Sequence, residues 1–535
     1  MNFGFALIAS ALTGWIALSY EILWARIYSF TSQGHANSFG MLLGVYLLGL
    51  AAGSLLSGRL RRADDPTGSE NLRIVARVVF ASNLAGFLVI PGVATIATAM
   101  RYGWGYGLII PAAALLGIAF PLLCHAAIPP NDRAGASTSY LYVANIVGSV
   151  AGSLTTGFVL MDSLTTVQIA QFLAYVGFGL SLLLALLASR KHLVEPVLST
   201  AVGVTLVVLG TPALYDRLWE KLQWGRGLSA ADATLAAAGE PRYTFETVNE
   251  SKSGVITLGR KVVYDWKNKT ATLEKHTEIY GGGVYDGQMR TVLEEGGWLV
   301  RPYSISYLHP APKRVLMIGL SGGAWASIIA ANPHVETLWA VEINPGYEEV
   351  ISKYPVVAPI MKDPRFKLII DDGRRWLVSN PDEKFDMIVA NTTFHWRSFA
   401  SNLLSSEFQE LVAAHLAPGG IYLYNTTGSA DAAFTSAQVF PYSMMVVNNV
   451  VGANAPFDLD AERWRKALEG TTLPLGSASA VAPPKAAIDW LVNTTTHINE
   501  EDPVLGGYVL RDRQGMAEFA KGGRLITDDN MLTEW

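Results

Sequence analysis

The stretch VLMIGLSGG, Val315–Gly323, followed by AVEINP, Ala340–Pro345, decides how the polar half of this chain is read. Val315 to Ile318 is apolar without alternation, the pattern of a parallel strand covered on both faces. Gly319, Gly322 and Gly323 then permit a tight turn and a close backbone approach to a ligand, and Ala324–Ala331 reads as helix. A second strand ends on Glu342, about 20 residues downstream, where a carboxylate accepts hydrogen bonds from a ribose diol. A glycine cluster alone marks a strand–helix turn in any α/β protein. The acid at this distance turns the reading toward a nucleoside site.

Outward from this stretch, strands and helices alternate from Lys313 to about Asn425, the signature of a parallel sheet. Lys367–Ile370 reads as a strand closing on Asp371-Asp372, and Phe385–Ala390 as a strand ending at Asn391. Ser406–Leu416 reads as a helix stopped by Pro418-Gly419-Gly420, with Ile421–Tyr424 as the next strand. A doubly wound sheet binds ligands outside the carboxyl ends of its strands. The residues expected there are the Gly319–Gly323 turn, Glu342, Asp371, Asp372 and the run NTTFHWR, Asn391–Arg397. That set suits a nucleoside, with glycines near its tail, Glu342 on the ribose and Asp372 near the adenine amino group. It lacks a phosphate-cradling lysine motif, which argues against nucleotide hydrolysis.

Upstream, Arg242–Gly283 alternates as strands do and predicts a small β-hairpin module. Tyr285-Asp286-Gly287-Gln288 follows where that module would cover the ligand. Asp286 and Gln288 are candidates to contact the ligand's amino-acid end or the acceptor, and the same four residues also suit a turn.

The chain has 535 residues, 50% of them hydrophobic and only 16% charged, which is too long for one simple domain and too apolar for a wholly water-exposed protein. Seven apolar segments of bilayer-spanning length precede Asp216: Phe3–Arg26, Ser38–Ser57, Ile74–Met100, Trp104–His125, Ser137–Leu160, Leu164–Ser189 and Val197–Leu214. The first has no basic start and other spans follow it closely, so it does not read as a cleavable signal. Gly40 and Gly44, Gly49 and Gly53, and Gly148 and Gly152 recur at the spacing that lets helices approach closely in lipid. Glu21, Arg26, Arg77 and Asn145 are costly in hydrocarbon. Arg26 and Arg77 lie near segment ends and are expected to snorkel, whereas Glu21 is expected to face an arginine or a polar cavity. Arg59, Arg61, Arg62, Arg73, Arg133, Arg190 and Lys191 fall in loops on one side, and the other side offers little beyond Arg101. The positive-inside rule then puts the N-terminus in the cytoplasm and everything after the seventh span outside. Leu214–Trp224 reads as an interfacial amphipathic helix with Trp219 and Trp224 at headgroup depth.

The net charge of -5 and the absence of a basic stripe with interleaved aromatics exclude a nucleic-acid footprint. The single Cys124 makes no disulfide framework, and His276, His309, His334 and His415 are scattered without ligand spacing, so no metal site is expected.

HPAPKRVLMIGLSGG (His309–Gly323), AVEINP, DPRFKLIIDDGRRWL (Asp363–Leu377) and NLLSSEF…LAPGG (Asn402–Gly420) together resemble the spermidine synthase fold. That is a class I S-adenosylmethionine-type domain with a β-hairpin module in front. SYEILWAR (Ser19–Arg26), GLAAGSLLSGR (Gly49–Arg59) and the final TDD resemble the membrane-fused branch of that family. The resemblance implies that Gly319, Ser321, Gly322, Glu342, Asp371 and Asp372 bind S-adenosylmethionine or decarboxylated S-adenosylmethionine. Three positions depart from it. The aspartate that helps deprotonate the attacking amine resembles Asn391, the second aspartate of that motif resembles Phe394, and the stretch that holds a polyamine resembles Gly296-Gly297-Trp298. An ordinary polyamine acceptor is therefore not expected. In their place His395 is the candidate general base, Trp396 a stacking surface for a flat or cationic group, and Arg397 a bidentate partner for an anion.

The expected architecture is a bundle of about seven transmembrane helices over 1–214 and an interfacial linker over 215–240. A β-hairpin module over 241–310 follows, then a Rossmann-like domain over 311–430 and a C-terminal extension over 431–535. The expected function is a membrane-anchored transferase moving an aminopropyl or methyl group to an acceptor, with catalytic residues His395, Asn391 and Arg397 and substrate contacts from Trp396, Asp286 and Gln288. The alternatives are a catalytically inactive domain serving as the interaction subunit of a membrane complex, and transport coupled to ligand sensing. The expected surroundings are a bilayer, in a bacterial cytoplasmic membrane, and either a small-molecule acceptor or a membrane protein partner.

Overall fold

The computed structural model describes residues 2–62, 65, 68–189, 194–391, 394–475, 479–530 and 534. Arg190 and Lys191 of the topology reading, and Thr392 and Thr393 of the NTTFHWR run, lie outside the described residues. The chain divides into two units, Met1–Val255 with Val262–Glu274, and Ile256–Lys261 with Lys275–Trp535.

Among the described residues of the first unit, seven helices are long and apolar enough to cross a membrane. They are α1 (Phe3–Thr31), α2 (Asn37–Leu60), α3 (Ser69–Ala99), α4 (Tyr106–Ala127), α5 (Ala134–Thr155), α6 (Thr166–Ala188) and α7 (Val194–Leu214). Proline occurs inside α3, α4 and α7, which spanning helices tolerate because neighbouring groups re-satisfy the freed carbonyls. Small residues set the packing. A Cβ on Gly148 of α5 would stand 1.9 Å from the Ala11 carbonyl oxygen of α1, and one on Gly53 of α2 would stand 1.9 Å from that of Ala114 on α4. With no hydrophobic force between helices in lipid, such backbone approach is what holds them together. Gly40 and Gly44 meet nothing within 4 Å, so their spacing is not used this way.

The polar groups of the bundle correct the sequence reading. Asn145 Nδ2 donates to the Ser10 carbonyl at 2.9 Å and joins α5 to α1. Arg77 donates through two nitrogens to Glu195 of α7 at 2.8 and 2.7 Å, an exposed bidentate pair. Arg26 does not snorkel, because α1 runs on to Thr31. Its guanidinium is buried, bonds the Ser251 carbonyl and lies 3.8 Å from Glu250. Glu250 in turn accepts from the backbone and hydroxyl of Thr166 and from Trp219 Nε1. Glu21 is only 7% exposed and has no arginine partner among the described residues. Helix α8 (Leu218–Trp224) packs against the bundle: it buries Leu218, Trp219 and Leu222, with Trp219 edge-on to Phe30 at 4.7 Å. Helix α9 (Arg226–Ala237) follows.

Four strands come next: β1 (Thr247–Ser251), β2 (Gly254–Asp265), β3 (Thr270–Gly281) and β4 (Val284–Gln288). Within the second unit β3 pairs antiparallel with β4, Glu278 opposite Gln288, with a register shift between Ile279 and Tyr280.

The second unit is built on a sheet whose parallel part contains β5 (Arg314–Ile318), β6 (Thr337–Glu342), β7 (Phe366–Ile370), β8 (Phe385–Ala390) and β9 (Leu416–Asn425). Two antiparallel strands, β10 (Tyr442–Val446) and β11 (Asn449–Ala453), and the short β12 (Leu510–Arg511) extend it in the order β12-β10-β11-β9-β8-β5-β6-β7. Helices α10 (Ala324–Ala330), α11 (Gly346–Lys353) and α12 (Gly373–Ser379) follow β5, β6 and β7, and α13 (Ser406–Ala414) follows β8. The chain steps outward from β5 to β7 and returns to β8 on the other side of β5, which places the topological switch at the end of β5. Residues alternate between two apolar cores. Val315, Met317, Met387 and Val389 enter one, while Leu316, Ile318, Ile388 and Ala390 enter the other. Both faces of β5 and β8 are thus covered, as the unalternating apolar runs require.

Candidate functional site

The switch point is shaped by the turn after β5. Gly319 adopts φ +82° and donates its N–H to the Val341 carbonyl at 2.9 Å, so the chain leaves β5 toward β6. Its Cα lies against the Asn391 carbonyl, where an added Cβ would stand 2.7 Å away. The close approach at Gly322 is to the hairpin strand rather than to open space: a Cβ there would meet Met289 Sδ at 2.7 Å. Ser321 takes φ +52°, a costly conformation for a residue with a side chain, and its hydroxyl donates to the Asp286 carbonyl. The turn therefore fastens β4 over the end of β5.

Glu342 is 5% exposed. Its Oε2 accepts from Leu320 N–H at 2.8 Å and its Oε1 from Asn344 N–H at 2.9 Å, so it holds the glycine turn to the end of β6. Burial raises its pKa, and the backbone donors oppose that rise.

Asp286 is the chemical centre. Its carboxylate accepts from Tyr347 Oη, carried by the first turn of α11. Burial pushes its pKa up to about 7, the nearby Glu342 charge adds to the rise, and Tyr347, Arg397 and Ser321 oppose it. Arg397 reaches the same place: a Cβ on Gly282 would stand 3.0 Å from its Nη2. Burial lowers the Arg397 pKa while Tyr347 and Asp286 support its charge. Asp286, Ser321, Glu342, Tyr347 and Arg397 are thus brought together at one strand edge. Tyr347 is absent from the sequence reading. It follows the quoted AVEINP by one glycine, and an aromatic in the first helical turn after the acid was the signal for it.

The other expected residues are placed differently. Asp371 Oδ1 accepts from Arg375 Nε at 2.6 Å and from Asp372 N–H at 2.7 Å. Asp372 caps α12, its Oδ1 accepting from Arg375 N–H at 2.8 Å. Gln288 is engaged inside the hairpin, accepting from Arg290 Nε at 2.6 Å and donating to Glu278 at 3.4 Å. Trp396 stacks on Phe394, ring centroids 5.5 Å apart. Asn391 donates its backbone N–H to the Ile318 carbonyl at 3.0 Å, continuing the β5–β8 ladder. His395 turns to Thr427: its N–H donates to Thr427 Oγ1 at 2.9 Å and its Nδ1 lies 2.8 Å from the same oxygen. Burial lowers its pKa, so the imidazole is neutral at pH 7.

Residues 305–437 match the family model described as spermine/spermidine synthase domain. This part of the chain is spermidine synthase-like. The polyamine aminopropyltransferase of Serratia proteamaculans (strain 568) is 38% identical over 117 residues, 22% of this chain and 40% of that protein. That of Yersinia pestis (strain Pestoides F) is 36% identical over 117 residues, 22% of this chain and 39% of that protein. The match spans about two fifths of the length of these curated relatives. Spermidine synthase from Thermotoga maritima superposes with a TM-score of 0.34 at 16% identity, covering 46% of this chain and 87% of the other. A spermidine synthase in complex with the transition state analogue AdoDATO superposes with a TM-score of 0.35 at 16% identity, covering 46% and 88%. The seven long apolar helices lie outside the residues matched to the spermidine synthase domain.

Proposed function

We propose that this chain is a membrane-anchored transferase whose spermidine synthase domain binds S-adenosylmethionine at the ends of β5 and β6. Glu342 would accept the ribose hydroxyls, and the amino-acid tail would lie against the turn at Ser321. The observation that carries this reading is that Asp286, fastened beside that turn by Tyr347 and Ser321, has the Arg397 guanidinium near enough for each charge to influence the other. An α-ammonium would meet Asp286 and an α-carboxylate would meet Arg397, opposite charges that suit a zwitterion. Decarboxylated S-adenosylmethionine has no group for Arg397, so methyl transfer is favoured over aminopropyl transfer. In the reaction the acceptor's lone pair forms a bond to the methyl carbon, and the carbon–sulfur bond breaks with its electron pair going to sulfur. The acceptor's proton passes to a neutral base. His395 is our candidate, being uncharged at pH 7 and following β8 at the same sheet edge.

Calorimetry on the purified full chain with S-adenosylmethionine, its decarboxylated form and methylthioadenosine tests this. The expected order of affinity is S-adenosylmethionine first. A second reading, a non-catalytic domain kept as an interaction surface in a membrane complex, draws on Asn391 at the end of β8 and on Asp371 being tied to Arg375. Binding of none of the three nucleosides would establish that reading in place of the first. The arginine asymmetry of the loops supports a location of the domain outside the cytoplasmic membrane, whereas supply of the sulfonium supports the cytoplasm. Protease access to tagged termini in intact cells decides between them.

A further inference from the structure

The first unit contains a cavity of about 980 Å³ at the end of the bundle where α1 stops, α2 begins and α3 passes into α4. Its lining includes Met41 of α2, Tyr102, Trp224 and Trp266. Two arginines, Arg101 and Arg226, line it. At this end of the bundle arginines are otherwise committed to carboxylates. Arg26 lies by Glu250, Arg217 bonds Asp232 at 2.8 Å, and Arg242 bonds Asp216 at 2.8 Å. Arg101 and Arg226 have no carboxylate within ion-pair distance among the described residues, and both open into the same hollow. Arg226 is held in place by the Trp266 ring, its guanidinium carbon 4.8 Å from the ring centroid. A guanidinium fixed on an aromatic face keeps its donors free for a second partner.

The depth of this hollow fits the same conclusion. It sits at the termini of spanning helices, where aromatic side chains mark the boundary between hydrocarbon and water. The lining combines apolar and aromatic side chains with two positive charges that have no carboxylate within ion-pair distance among the described residues. We infer that this cavity is a binding site for a phosphate group, with Arg101 and Arg226 as its two cationic partners. The amphiphilic walls suit the phosphate of an anionic lipid, and a free phosphate monoester offers the same recognition chemistry.

The test is titration of the full chain in detergent, followed by its tryptophan fluorescence, with short-chain phosphatidylglycerol, with a diacylglycerol of the same chains, and with inorganic phosphate. Phosphatidylglycerol is expected to bind at least tenfold more tightly than the diacylglycerol. The double variant Arg101→Gln/Arg226→Gln is expected to remove that difference, while Arg101→Lys/Arg226→Lys retains part of it. Saturable binding of inorganic phosphate with the same arginine dependence identifies a soluble phosphate as ligand. Failure of inorganic phosphate to bind or compete identifies the lipid. Equal affinity for phosphatidylglycerol and diacylglycerol, or an unchanged preference in the glutamine variant with an unchanged unfolding temperature, overturns the proposal.

Discussion

Glu342 and Asp371 end neighbouring parallel strands, and Asp371 N–H even donates to the Glu342 carbonyl at 3.1 Å, yet the two carboxylates live in different chemistry. Glu342 is buried and spends its oxygens on Leu320 and Asn344, amides of the turn and of its own strand end. Asp371 is bonded to Arg375, four residues on in α12, whose side chain is 71% exposed. One acid is built into the architecture of the switch point, and the other is held by an exposed surface partner. An acid at a strand end is therefore not one kind of site. What surrounds it decides whether it shapes the pocket or waits at its rim.

The largest effect that sharpens this contrast is at Glu342. In Glu342→Gln the new amide N–H₂ opposes a backbone donor. Losing one charge-assisted bond costs about 1.5–3 kcal/mol, so affinity for S-adenosylmethionine is expected to fall about 10- to 100-fold, with a lower unfolding temperature. Calorimetry on Glu342→Gln and Asp371→Asn side by side measures the contrast. An equal loss from Asp371→Asn would remove it.

Asp286 comes next. Its pKa of about 7 lies above the ordinary carboxyl value, so between those values the folded chain holds a proton that the unfolded chain has released. Stability is expected to decline as pH rises through that window, and Asp286→Asn is expected to flatten the decline. Ligand binding runs the other way, because the ionised carboxylate is the partner of an ammonium group. Affinity for S-adenosylmethionine is expected to improve as pH rises through about 7 in the parent chain and to lose that dependence in Asp286→Asn. Opposite slopes for folding and binding are the signature, read from unfolding temperatures and calorimetry on one pH series.

These effects separate what was legible in the residues from what was not. The strand–turn–strand around Gly319 was legible because an unbroken apolar run, a glycine turn and an acid are each dictated locally. The seven long helices were legible from apolar length alone. Partners distant in the chain were not. The buried pairing of Arg26 with Glu250 needs residues on either side of the whole bundle, and periodicity in α1 contains no trace of it. The partners of Gln288 were not legible either, because the register that sets it opposite Glu278 follows a shift between Ile279 and Tyr280. The orientation of His395 toward Thr427 depends on a left-handed residue, φ +51°, that sequence does not announce.

A smaller effect concerns Asp372. As the N-cap of α12 it satisfies Arg375 N–H, and removal of such a cap costs about 1 kcal/mol. Asp372→Ala is expected to lower stability by that amount and to weaken S-adenosylmethionine no further than the loss of folded protein explains. Asp372→Ser, which restores a cap without the charge, separates the two roles: it is expected to recover stability, and a persistent binding defect in it assigns Asp372 to the adenine.

The smallest effect is the most informative about the rim. Arg375 binds Asp371 across an i,i+4 spacing in a largely exposed position, and such pairs contribute at most about 1 kcal/mol because water screens them and long side chains lose freedom in forming them. Arg375→Ala should therefore leave the unfolding temperature nearly unchanged. It also frees both oxygens of Asp371 at the carboxyl edge of the sheet. If Asp371 is a ligand group held in reserve, nucleoside affinity rises in Arg375→Ala, because the competing guanidinium no longer has to be displaced. If the carboxylate serves only to brace Arg375 of α12, affinity stays where it was. Raising the salt concentration in the parent chain should mimic the substitution, since screening weakens the exposed pair far more than the buried Glu342 bonds. Agreement between the two measurements would make Asp371 a binding residue in waiting rather than a local brace.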